Sequence, residues 1–120
     1  MKFTLKQLFS LFDGRLSTEI GDVYKMLDHI TGEELMTHHL PTAFTFVKDK
    51  NLKWFTDGVA KIDTIKKKLN TNDFKVLMEY IDKNNEIIDV PKLNKKEKEG
   101  FGAFMIDNSL LNKIGSKKNQ

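Results

Sequence analysis

The chain contains no cysteine. That excludes a disulfide scaffold, thiolate zinc sites, iron–sulfur ligation and a cysteine nucleophile. Arginine is almost as scarce: of 20 basic residues, only Arg15 is arginine and the rest are lysine. Arginine supplies the bidentate fork that reads phosphate and guanine edges, whereas lysine supplies a point charge. Proline occurs only at 41 and 91, and tryptophan only at 54. No run approaches the ~18–20 apolar residues of a membrane span.

What remains is an ordinary soluble composition. The 120 residues are 39% hydrophobic and 31% charged, enough for one core and too few for two. The net charge of +3 is uneven. Residues 1–40 carry four basic and six acidic groups, residues 41–90 nine and eight, and residues 91–120 seven and three. The basic excess therefore lies in the last quarter. The opening MKFTLKQLFSLF is broken by Lys6, Gln7 and Ser10 and lacks a small-residue cleavage site. It reads as an amphipathic first helix and not as a signal peptide, so a cytoplasmic location is expected.

Hydrophobic spacing predicts a mainly α fold: a compact bundle of five or six short helices with at most a minor extended segment near 86–93. Thr4 caps a first helix whose stripe is Leu5, Leu8, Phe9 and Phe12. Asp13-Gly14 then marks a turn. Ser17 or Thr18 caps a second helix to Thr31, with Ile20, Val23, Tyr24, Leu27 and Ile30 on one face and Gly32 at the stop. Leu40 is expected to be extended before Pro41, which opens a third helix to about Asp49. Asp57-Gly58 reads as a turn before a fourth helix through Val59, Ile62, Ile65 and Leu69. Thr71, Asn72 or Asp73 caps a fifth through Phe74, Leu77, Met78 and Ile81. The run 86–93 is expected to lie as a lone extended segment on the helices. Residues 1–93 read as a single helical domain, and 94–120 as a basic C-terminal helix over about 95–113 with a frayed tail.

No motif carries an enzyme's chemistry. His29, His38 and His39 have no metal-ligand spacing, and the adjacent pair points in different directions. The serines sit in no nucleophile elbow, and no carboxylate pair stands out as acid and base. Gly100-Phe101-Gly102 lacks the third glycine of a phosphate cradle. The expectation is a non-enzyme with no cofactor and no metal. A lysine face (Lys61, Lys66, Lys67, Lys68) and the later Lys92, Lys95 and Lys96 are the candidates for phosphate-backbone contact, the alternative reading being a small nucleic-acid-binding protein.

The stretch from Asp13 to Ala43 reads DGRLST, DVY, LDHITG and THHLPTA. It resembles small, functionally uncharacterised proteins of tailed phages and prophages. The matching positions include Gly14, Ser17, Gly32 and Pro41, which suit turns, caps and a helix start. Arg15, His29, Thr37 and His38 match without an evident structural duty. They are the candidate partner-binding residues. The resemblance implies an accessory protein that binds a host or phage protein, inhibiting or redirecting a host defence protein. It lies on the acidic side of the chain, which favours a protein partner over nucleic acid.

Overall fold

The computed structural model describes residues 1–108. In chain order it holds β1 (Lys2–Thr4), α1 (Leu5–Phe12), α2 (Ile20–Thr31), a single 3₁₀ turn (Thr37–His39), α3 (Leu40–Asp49), α4 (Lys53–Leu69), α5 (Phe74–Lys83) and β2 (Ile87–Asp89). Helical backbone resumes over 101–108, here α6. The fold is mainly α, as the apolar periodicity requires.

Helix α1 is the hub. It packs against α2, α4, α5 and β1. Its expected stripe is buried, and Ser10 and Leu11 are buried as well. A helix enclosed on several sides cannot expose the flank that a surface helix would. Thr4 closes a reciprocal cap with Gln7: the Gln7 amide donates to the Thr4 hydroxyl, and the Thr4 amide donates to Gln7 Oε1. Helix α2 stops at Gly32, whose φ of 71° is the left-handed conformation glycine adopts without steric cost. Asp73 caps α5 through the Val76 amide.

The extended segment is not alone. β2 pairs antiparallel with β1, with Phe3 opposite Ile88. The Val90 amide donates to Met1 and the Leu5 amide to Glu86, extending the ladder at both ends. The pairing joins residues more than 80 positions apart, which no local pattern encodes.

Four local expectations are corrected. Asp57-Gly58 is no turn: both residues lie inside α4, and Gly58 is buried. Leu40 is helical (φ −58°, ψ −49°), because the 3₁₀ turn feeds straight into α3 despite the following proline. Neither Ser17 nor Thr18 caps α2. The helix starts at Ile20 with Glu19 at the cap, and Ser17 is buried elsewhere. Ile20, expected in the buried stripe, is 54% exposed at the first helical position.

Helix α6 begins at 101, not 95, after Gly100 at φ 80°. Phe101 enters the core, edge-on to Phe46 at 5.0 Å, and Phe104 lies 5.3 Å from the same ring. The rest of the expected last helix, with Leu110 and Leu111, and the expected frayed end lie outside the described residues.

Candidate functional site

The loop 13–19 builds the site. Gly14 turns the chain at φ 93°, where other residues are strained. Arg15 then folds inward. Its Nε donates to Asp13 at 2.6 Å, and its terminal nitrogens donate to the carbonyl and side-chain oxygens of Asn72, both at 2.8 Å. Its guanidinium carbon sits 5.7 Å from the ring centroids of both Phe9 and Phe74. Lys66 reaches the same Asp13 carboxylate at 2.6 Å. Burial is the largest single influence on Asp13 and pushes its carboxyl up, but the hydrogen bonds and charges of Arg15 and Lys66 together hold it below its ordinary value.

Ser17 is pinned on the other side of Leu16. Its amide donates to the Ser10 hydroxyl at 2.9 Å, and its own hydroxyl donates to the Lys6 carbonyl. The Ser10 hydroxyl therefore donates to Ser17 Oγ, 2.8 Å away. With Arg15 and Ser17 both anchored, Leu16 between them is held outward, 54% exposed.

Leu16 and Ile20 flank an apolar cleft of about 200 Å³. Leu11 and Val23, both buried, line its inner side, and Pro41 and Phe44 of α3 complete it. Serine and glycine (Ser10, Gly14) are its only non-apolar lining. Two acids stand at the adjacent helix start. Glu19 is exposed, and Asp22 is held below the usual carboxylate range, first by the hydrogen bond from the Thr18 hydroxyl. The lowered carboxyl of Asp22 is ionised at neutral pH. A larger groove of about 590 Å³ lies between Glu33, Glu34, Leu35, Lys98 and Phe101. Its walls include residues of α6, where the described residues end, and the Lys98–Glu33 ion pair (2.7 Å) joins two of its lining residues.

Three of the four family-pattern candidates carry structural contacts. Arg15 is the anchor just described. His29 brings Nε2 within 2.6 Å of the Val90 carbonyl, so that nitrogen must carry the proton, and it ties α2 to the end of β2. Thr37 bonds the Tyr24 hydroxyl, holding the 3₁₀ turn to α2. His38 is exposed, and its ring lies 4.1 Å from that of His39, so the two rings of this 3₁₀ turn lie side by side and do not diverge as the sequence suggested. The four do not converge on one surface feature.

The lysine face is partly spent inside the molecule. Lys61 pairs with Glu86 at 2.7 Å, Lys66 with Asp13, and Lys68 donates to the Tyr80 hydroxyl. Lys67, Lys92, Lys95 and Lys96 are exposed and make no ion pair among the described residues. Among those residues no group of histidine, aspartate and glutamate could hold a metal ion, and no helix is long and apolar enough to cross a membrane.

Residues 3–58 match a sequence family described as a domain of unknown function (DUF7736). The match runs from β1 into α4 and includes every residue of the cleft. No curated protein and no solved structure matches the chain.

Spacing alone missed Leu16 and Ile20. Leu16 lies in the DGRLST stretch and carries no role in the spacing argument, and spacing puts Ile20 in the buried stripe of α2. The available signal was the pairing of an apolar residue in a polar turn with a second one at a helix start, where burial is least expected.

Proposed function

We propose that this protein is a non-enzymatic binding module of phage or prophage origin, which holds a host or phage protein through the cleft between Leu16 and Ile20. One observation carries the reading. Two large aliphatic side chains, each more than half exposed, flank an apolar cleft, and one of them is held outward by pinned neighbours. Each is already about half buried, so the exposed remainder forgoes about half of the ~1.5–3 kcal/mol that full burial of such a side chain brings. A partner that covers them recovers it. The setting rests on the DGRLST to THHLPTA resemblance. The acidic helix start beside the cleft repels phosphate backbone, so the partner in this reading is a polypeptide.

A photo-crosslinking residue at position 20 tests it in host lysate, beside a control at exposed Lys75 on α5. The expected result is a discrete protein adduct from position 20 that Leu16→Asp abolishes and that the control position does not form. Adducts to nucleic acid would overturn the reading in favour of the lysine-based alternative. A self-adduct would replace the partner with a second copy.

A further inference from the structure

Gly21 has no structural reason to be glycine. It lies in the first turn of α2, it is exposed, and a Cβ built there meets nothing within 4 Å. Its φ is not in the left-handed region, unlike those of Gly14, Gly32 and Gly100. Glycine inside a helix is disfavoured relative to alanine by backbone entropy. A bare backbone beside an apolar cleft has one clear use, which is to let another chain pass close.

We infer that the occupant of the cleft is a polypeptide segment with one large apolar anchor, Leu, Met or Phe, whose backbone crosses α2 at Gly21 and which places a Lys or Arg against Glu19 and Asp22. This deepens the protein-binding reading above and rests on it. The size follows from the cleft: about 200 Å³ accommodates one large side chain and not a helix face. A single buried anchor ringed by weaker contacts is the usual energetic layout of a protein–protein contact. The sign of the neighbour follows from the charges. Asp13 is neutralised by Arg15 and Lys66, while Glu19 makes no ion pair among the described residues. The crossing point follows from Gly21. Ile20 precedes it at the cleft rim, so an anchor seated there brings its own main chain over the next residue.

The test uses a random-peptide library displayed on yeast and sorted against the full-length chain. Enriched peptides are expected to share one Leu, Met or Phe with a Lys or Arg within a few positions. Gly21→Ala and Gly21→Gln are expected to leave the thermal midpoint unchanged or raise it by a few degrees, yet to weaken peptide binding by about tenfold or more, the scale of an interface hot spot. Glu19→Lys should weaken the same peptides and favour ones carrying Asp or Glu. Enriched peptides without the anchor and basic pair, undiminished binding to both Gly21 variants, or no enrichment at all would overturn the inference. If the peptides fail while position 20 still forms a protein adduct, only the occupant's chemistry falls. If no adduct forms either, the binding reading falls with it.

Discussion

Gly58 of α4 lies directly against the ring of Phe12 in α1: a Cβ at position 58 would fall 2.2 Å from Phe12 Cζ. The glycine is what lets the two helices approach at this point. Phe12 is further boxed in by Phe55, edge-on at 5.4 Å, and by Trp54 at 6.2 Å. The ring therefore has little room to retreat. Gly58→Ala should destabilise the protein by ~1–3 kcal/mol through overpacking, although alanine is the better helix former. Urea denaturation would show it as a lower midpoint with an unchanged slope. A rise in stability would mean that the aromatic cluster is loose enough to shift.

Asp13 makes stability depend on acid. Its carboxylate accepts from Arg15 and Lys66 and is only 6% exposed. A carboxyl held below its ordinary value of 3.8 stabilises the fold above that pH and loses the contribution as pH falls through the lower native value. Asp13→Asn should cost ~1–3 kcal/mol at pH 7, where two partly exposed donors lose a buried charged acceptor. The gap between the variant and the wild type should narrow on going from pH 5 to pH 2.5. A gap that is constant with pH would show that the aspartate acts by shape and not by charge.

The serine pair offers a cleaner accounting. Ser10 supplies the acceptor for the buried Ser17 amide, and Ser17 passes its own hydroxyl proton to Lys6. Ser10→Ala leaves a backbone donor without a partner and should cost ~1–3 kcal/mol. Ser17→Ala should cost less, since it removes a hydroxyl but keeps the amide bond to Ser10. A double-mutant cycle on the two should return a coupling of ~0.5–3 kcal/mol. Simple additivity would argue against the relay.

Much of this fold is local and could be read from residue spacing. The stripes of α1 and α5, the Thr4 cap and the Gly32 stop are each specified within a turn or two of chain. What spacing could not supply is non-local. β1 has three residues and no pattern of its own until Ile88 lies beside Phe3. Asp57-Gly58 has turn chemistry in sequence, and only the Phe12 ring explains a glycine in mid-helix. The cleft was hidden for the same reason. Leu16 and Ile20 resemble core residues unless it is known that Arg15 and Ser17 have already been drawn inward by Asp13, Asn72, Ser10 and Lys6.

That arrangement separates folding from binding at the cleft rim. Side chains that are already half in water contribute little to stability when they are changed. Leu16→Ser and Ile20→Ser should each alter unfolding free energy by no more than ~0.5 kcal/mol, as should the double variant beyond their sum, because neither closes the core. Leu11 and Val23 at the inner side of the same cleft are 3% and 9% exposed, and Leu11→Ala should cost ~2–5 kcal/mol. The measurement is chemical denaturation of all four proteins beside adduct formation at position 20 for the Leu16 variant. A rim that is dispensable for folding and required for the adduct is what a binding surface demands. If Leu16→Ser instead destabilised the chain as much as Leu11→Ala, Leu16 would be a core residue and the cleft would have no rim to offer a partner.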